Sequence, residues 1–219
     1  CHETELVIRP SEAKKRIAVV GAGPAGLSFS VTAAQRGHAV TLFDAASEIG
    51  GQFNIAKQVP GKEEFHETIR YFRRQVELTG VDLRLNTRVG VAQLCEGGYD
   101  EVVLATGILP RMPAIPGVEH SKALSYLDVL RDKRPVGGKV AVIGAGGIGF
   151  DVAEFLVHGN HPSTTLDLPA WKAEWGITDP AEARGGLATA GPHVTPPARH
   201  VTLLQRKKGK LGAGLGKTT

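Results

Sequence analysis

The feature that most constrains this chain is a glycine-rich turn placed directly after a short apolar run. Residues 17–20 are continuously apolar, as in a strand that a parallel sheet buries on both faces, and the sequence GAGPAG follows at once at 21–26. A segment with apolar residues at helical spacing then covers 24–36, and a second apolar run at 39–43 ends at Asp44. Strand, turn, helix and strand in this order predict a βαβ unit that binds a dinucleotide.

Each key residue of this motif has a physical task. Gly21 allows the tight turn, Gly23 lets backbone approach a diphosphate, and Gly26 lets the helix pack closely on the strand. The N-terminus of the helix favours negative charge. The carboxylate of Asp44 is expected to accept hydrogen bonds from ribose hydroxyls. The alternative is a glycine-rich turn beside an incidental surface aspartate, and the strand and helix around the motif favour the dinucleotide site.

The chain contains the same arrangement a second time. GAGGIG at 144–149 follows the apolar run 140–143 and opens another helical segment. Gly144, Gly146 and Gly149 would have the same three tasks there. Two such motifs imply two dinucleotides, one of which can reduce the other. The sequence therefore predicts an α/β, Rossmann-like, two-dinucleotide-binding flavoprotein fold with an FAD domain and an incomplete NAD(P) domain.

The two units differ where an acidic residue is expected. The second strand of the second unit, predicted at 200–205, is followed by Arg206 and Lys207, with no carboxylate. A guanidinium and an ammonium suit a 2′-phosphate, which favours NADPH over NADH. The alternative is a solvated basic turn.

The intervening residues give weaker signals. An amphipathic helix is predicted from near Lys62 to Gly80, a half-exposed strand at 81–85, another strand of a small meander at 89–94, and a buried strand at 99–105. The last strand leads into Thr106 and Gly107 and resembles the strand-then-ATG signature of two-dinucleotide flavoproteins.

These patterns predict the following organisation. Residues 1–13 form a linker from an upstream module, 14–134 the first part of the FAD-binding domain, and 135–219 an incomplete NAD(P)-binding domain. A long excursion at 158–199 interrupts the second domain, and a short helix is predicted around residues 171–175 within it.

Composition excludes several other classes. A net charge of +4 gives little reason to expect nucleic acid as a partner. Cys1 and Cys95 form neither a CxxC pair nor a metal cluster, which disfavours a disulfide reductase. Because the chain has no run of 18 apolar residues and no signal pattern, a soluble, cytoplasmic protein without a membrane partner is expected.

Sequence strings outside the glycine motifs resemble a particular family. The resemblance, to bacterial NADPH-dependent 2,4-dienoyl-CoA reductases, covers nearly the whole chain and is weakest between 158 and 199. The strings are GGQFNIA at 50–56, PGKEEF at 60–65, LSYLDVL at 124–130 and the glycine-rich end at 212–219.

This resemblance implies a larger parent enzyme of fatty acid beta-oxidation. In that family an N-terminal barrel carries FMN and the substrate site, a four-cysteine segment holds a 4Fe-4S cluster, and the C-terminal half binds FAD and NADPH. The barrel, its catalytic residues and the cluster cysteines would precede Cys1, so FMN and the cluster would not be bound by this chain. By the same resemblance Ala25, Gln52, Lys62 and Val89 would contact FAD, although Lys62 also fits the first charge of a solvated helix.

Two other functions remain open from the sequence. One is an NADPH-dependent flavoprotein that feeds another acceptor, as in glutamate synthase small subunits or trimethylamine dehydrogenase-like proteins. The other is a structural module that holds ADP in the first site and moves no electrons.

Overall fold

The computed structural model describes residues 2–159, 164–213 and 215. Part of the predicted excursion, 160–163, and most of the string at 212–219 therefore lie outside the described residues. The strands are β1 (Arg16–Val20), β2 (Ala39–Phe43), β3 (Asp82–Arg84), β4 (Glu101–Leu104), β5 (Lys139–Ile143) and β6 (His200–Leu204). The helices are α1 (Pro24–Gln35), α2 (Phe53–Ala56), α3 (Phe65–Thr79), α4 (Val91–Glu96), α5 (Tyr126–Leu130), α6 (Gly147–His158) and α7 (Leu168–Trp175).

The chain divides into two compact units. The first contains residues 1–57 and 64–114, and the second contains 58–63 and 115–219. Residues 58–63 and 115–134 thus pack with the second unit, whereas the sequence placed them in the first domain. Which dinucleotide each segment serves stays a prediction.

The first unit is built on a parallel sheet with strand order β3-β2-β1-β4. The order reverses direction between β1 and β4, and ligands of doubly wound sheets bind outside the carboxyl ends of strands at such a point. This topology confirms the predicted α/β, Rossmann-like class, and it brings the ends of β1 and β4 side by side.

Two helices form the core with this sheet. Leu27 of α1 and Leu42 of β2 are almost fully buried, and α3 contributes Ile69 and Val76. As predicted, α3 ends at Gly80, which adopts the left-handed conformation (φ 71°) that glycine accepts without strain.

The predicted start of α3 near Lys62 was wrong by several residues. The helix begins at Phe65, whose ring stacks on Phe53 of α2 with centroids 4.4 Å apart. Lys62 precedes the helix and belongs to the second unit. The apolar residues that define the helical face start only at Phe65, and a charged residue before them carries no helical information.

The predicted strand at 89–94 was also wrong, since α4 occupies most of it. The Gly90 N–H donates to Gln93 Oε1 at 2.9 Å, and the Leu94 N–H donates to the Gly90 carbonyl at 3.2 Å. The Gln93 side chain thus satisfies a donor before the first turn, as the third residue of a capping box does. This local hydrogen bonding favours a helix over the strand that the alternating apolar residues indicated.

β4 forms where the sequence predicted, but it is not a buried strand. Among the described residues it pairs only with β1, at the edge of the sheet. Leu104 is 73% exposed and Val102 is 43% exposed. An apolar run is buried only where other elements cover it, so the prediction of a buried strand was wrong here.

The second unit repeats the strand–turn–helix arrangement. β5 and β6 pair in parallel, with Lys139 opposite His200 and Ile143 opposite Leu204. α6 connects them and buries Val152 and Leu156. No helix among the described residues is long and apolar enough to cross a bilayer.

The excursion contains the predicted short helix. α7 begins at Leu168, where the Asp167 side chain accepts a hydrogen bond from the Ala170 N–H at 3.0 Å, and it ends at the left-handed Gly176. Short 3-10 helices lie on either side, at Thr164–Leu166 and Arg184–Gly186. Capping and local hydrogen bonds therefore shape residues 164–186 of the excursion.

Candidate functional site

The first glycine motif joins β1 to α1, as predicted. Gly21 has φ 110°, and its N–H donates to the Phe43 carbonyl at 2.7 Å. A Cβ at this position would lie 2.2 Å from the Ala105 carbonyl oxygen, and a Cβ at Gly26 would lie 1.8 Å from the Gly21 carbonyl oxygen. Real Cβ atoms essentially never come closer than 3.0 Å to such an atom. Both positions therefore require glycine for packing alone.

Gly23 differs from these two glycines. A Cβ there would meet no heavy atom within 4 Å, and the backbone is extended (φ −76°). Gly23 is the N-cap of α1, no side chain caps this terminus, and the first turn carries no acidic residue. Ala25 in that turn is exposed. Backbone N–H groups at an uncapped helix start favour an anion, so this turn fits a diphosphate.

Asp44 points at the same junction. Its Oδ2 accepts a hydrogen bond from the Ala22 N–H at 2.6 Å, and its Oδ1 accepts one from the Ala46 N–H at 2.7 Å. Each carboxylate oxygen has more than one lone pair, so both keep capacity for a further hydroxyl donor. The side chain is therefore held beside the glycine turn in the place that the ribose prediction needs.

The segment that contains Gln52 lies over this turn. The Gly50 N–H donates to the Ala22 carbonyl at 2.8 Å, and a Cβ at Gly51 would lie 3.0 Å from the Gly23 Cα. This close approach carries the exposed Gln52 to the edge of the turn.

Two further predicted residues follow strands that end near the turn. The Thr87 N–H donates to the Asp44 carbonyl at 2.8 Å, which brings the chain leading to the half-buried Val89 alongside the end of β2. After β4, Thr106 and Gly107 are exposed next to the Gly21 turn, where a Cβ on Gly21 would lie 3.2 Å from the Thr106 nitrogen. The structure therefore gathers the predicted first-unit residues around one junction.

The second motif has the same geometry. Gly144 (φ 119°) follows β5, and its N–H donates to the Leu204 carbonyl at 2.9 Å. A Cβ at Gly149 would lie 1.8 Å from the Gly144 carbonyl oxygen, while a Cβ at Gly146 would meet nothing within 4 Å. The start of α6 also lacks a side-chain cap and an acidic first turn. A second anion-compatible helix start thus lies in the second unit.

Arg206 and Lys207 follow the end of β6, and this end lies next to the second glycine turn. The Gln205 side-chain amide donates to the Lys207 carbonyl at 2.8 Å and so shapes the bend. Both basic side chains are exposed. Their place after the strand that pairs with β5 is the one expected for a group that reads the ribose 2′ position.

Lys62 belongs to the second unit. Its Nζ donates to both carboxylate oxygens of Asp151 on α6, at 2.6 and 2.7 Å. The sequence reasoning missed Asp151, because its position two residues after Gly149 among apolar neighbours does not indicate which residue it meets. The predicted contact between Lys62 and FAD stays a prediction.

The parallel sheet and the two glycine turns define a Rossmann-like chain of the two-dinucleotide oxidoreductase class. A family model described as pyridine nucleotide-disulphide oxidoreductase matches residues 15–208. The chain belongs to this family.

Named relatives support the same class. The chain is 34% identical over 75% of its length to a metal reductase of Desulforamulus reducens, and 33% identical over 76% of its length to a cinnamate reductase of Clostridium sporogenes. It spans 25% of the length of each relative. A solved 2-naphthoyl-CoA reductase matches 90% of this chain, over 34% of its own, with a TM-score of 0.66 and 28% identity.

Proposed function

We propose that this chain is the FAD- and NADPH-binding portion of a 2,4-dienoyl-CoA reductase. The observation that carries the proposal is the pair of uncapped helix starts, each preceded by a glycine that leaves open space where a diphosphate would lie. The acyl-CoA part is supported by the resemblance of the strings at 50–56, 60–65 and 124–130 and by the similarity to a 2-naphthoyl-CoA reductase.

The proposed sites divide between the two units, with Lys62 as the one exception. The proposed FAD contacts are Gly21, Gly23, Ala25, Gly26, Asp44, Gln52, Lys62, Val89, Thr106 and Gly107. The proposed NADPH contacts are Gly144, Gly146, Gly149, Arg206 and Lys207. The Gln52, Lys62 and Val89 contacts rest on resemblance alone, and the Lys62 ammonium is bound to Asp151 of α6.

When bound, FAD would supply a two-electron acceptor for the hydride of NADPH and a donor of single electrons to the 4Fe-4S cluster and FMN of the parent enzyme. The residues of this chain would bind and orient the two dinucleotides. The two glycine turns would hold the diphosphates at helix starts, and Asp44 would fix the ribose. No residue of the chain is proposed to be catalytic, and the cytoplasmic location predicted from the sequence is part of this proposal.

The first experiment tests the two sites directly. The purified chain is incubated with excess FAD and desalted, its visible spectrum is recorded, and NADPH or NADH is then added without oxygen. We expect flavin absorbance to co-elute with the protein and to bleach faster with NADPH. Retention of an adenine nucleotide without any flavin absorbance would instead support the ADP-binding structural module.

A second candidate is an NADPH-dependent flavoprotein module for another acceptor. The observation that favours it is the variety of named relatives, which include a metal reductase and a cinnamate reductase. An activity assay of the full-length polypeptide discriminates between the two proposals. Consumption of NADPH that depends on a 2,4-dienoyl-CoA supports the first proposal, whereas turnover only with other acceptors supports the second.

A further inference from the structure

The short segment 58–63, which we call the Lys62 loop, packs with the second unit although both of its flanks belong to the first. Val59 is 2% exposed, and the Lys62 N–H donates to the Val59 carbonyl at 3.0 Å. The loop therefore has its own anchor and turn. Two further sets of contacts hold it, one with α6 and one with the excursion.

The first set is the ion pair with α6. The Lys62 Nζ lies within hydrogen-bonding distance of both Asp151 carboxylate oxygens, and the two side chains are 40% and 29% exposed. Partial burial makes such a pair depend on how well its two ends are placed. The position of the loop backbone thus decides whether the pair forms.

The second set comes from the excursion. Glu63 Oε1 accepts a hydrogen bond from the Gly61 N–H at 3.2 Å, and Glu63 Oε2 accepts one from Thr165 Oγ1 at 2.9 Å. The neighbouring Thr164 hydroxyl donates to Glu174 of α7. Two adjacent threonines of the 3-10 helix Thr164–Leu166 therefore bond in two directions, one to the Lys62 loop and the other to α7.

We propose that the segment 164–175 of the excursion is a positioning element for the Lys62 loop. Thr165 and Glu63 are positioning residues: they hold the Gly61 turn, and the turn keeps Lys62 against α6. In this proposal the excursion keeps Lys62 against Asp151 of α6, the helix that follows the second glycine turn. The value of this role for electron transfer rests on the proposed function, whereas the placement of the loop does not.

Hydrogen–deuterium exchange of the full chain without added cofactor tests this proposal. In Thr165→Val the hydroxyl is lost with little change of shape, and we expect backbone exchange within 58–63 to accelerate by up to about fivefold, the equilibrium equivalent of one net hydrogen bond. Thr165→Ser keeps the hydroxyl and is expected to restore slow exchange. The matched control is Thr178→Val, which removes the comparable bond from Thr178 to Glu182 in the same excursion and is expected to leave 58–63 unchanged.

Three outcomes decide the matter. Faster exchange in Thr165→Val alone, with rescue by serine, supports the proposal. Unchanged exchange of 58–63 in both Thr165→Val and Glu63→Ala overturns it. Equal acceleration in Thr178→Val also overturns it, because the effect would then be a general loosening of the excursion. Since no cofactor is added, a chain that fails to retain FAD leaves this result intact, and the two proposals fail separately.

Discussion

Replacement of Gly23 by alanine separates binding from folding. A Cβ at this position meets no protein atom within 4 Å, so the added methyl group would project into the space proposed for the diphosphate. Overpacking of a close contact costs about 1–3 kcal/mol. At ~1.4 kcal/mol per tenfold, FAD is expected to bind roughly 5- to 150-fold more weakly.

The stability of the unligated chain is expected to change little. The backbone of Gly23 (φ −76°, ψ −179°) is extended and open to alanine. Alanine stiffens the unfolded chain, which stabilises by about 0.4–1 kcal/mol. It is also a poorer N-cap than glycine, which costs a similar amount, on the order of 0.5–1 kcal/mol. The two effects offset each other, and a net change within about 0.5 kcal/mol is expected.

The assay combines two measurements on the same variant. Urea unfolding without FAD gives the free energy of unfolding, and fluorescence titration with FAD gives the dissociation constant. The matched control is Gly146→Ala, which places an equally unhindered methyl group in the second turn and is expected to spare FAD while weakening NADPH. Wild-type affinity of Gly23→Ala for FAD, or the same loss of FAD in both variants, would refute the reasoning.

Three further predictions concern other parts of the chain. Gly26→Ala places a Cβ 1.8 Å from the Gly21 carbonyl oxygen, so the helix and the turn must separate. The free energy of unfolding, measured in urea, is expected to fall by roughly 1–3 kcal/mol. An unchanged value would contradict the packing argument. The double variant Arg206→Ala/Lys207→Ala is expected to bind NADPH about tenfold or more weakly in a titration, because charge-assisted hydrogen bonds are lost. NADH is the matched ligand, and an equal loss of affinity for NADH and NADPH would exclude a 2′-phosphate contact. Hydrogen bonds from Ser125 and then the Arg134 guanidinium lower the pKa of Asp128 from 3.8 to about 2, so its contribution to stability is complete above pH 3.8 and is lost as the pH falls towards 2. Thermal melts of wild type and Asp128→Asn between pH 5 and about 2 are therefore expected to converge at the acid end, and a constant gap would oppose this assignment.

The sequence predicted what depends on neighbouring residues. The turn at 21–26 and its copy at 144–149 need glycine for reasons of local geometry, and the order of strand, turn and helix is visible within a short window. The placement of Asp44 beside the turn follows from the same unit. These features formed as expected because short-range sterics and hydrogen bonding determine them.

Features that depend on distant partners could not be predicted in this way. Asp151 meets Lys62 from far along the chain, and no local period marks such a pair. The burial of β4 depends on what packs over Leu104, which its apolar run does not encode. The wrong prediction at 89–94 has a local cause instead: the Gln93 side chain accepts a hydrogen bond from the Gly90 N–H and supports a helix.

The long excursion between α6 and β6 has a consequence for the order in which the chain folds. The entropic cost of loop closure rises by only about 0.6 kcal/mol for each doubling of loop length, so the long excursion is compatible with the pairing of β6 with β5. Distant partners nevertheless meet more slowly than near ones. During synthesis β1 and β2 are therefore expected to pair early. β5 can pair with β6 only after the whole excursion and β6 itself have been synthesised.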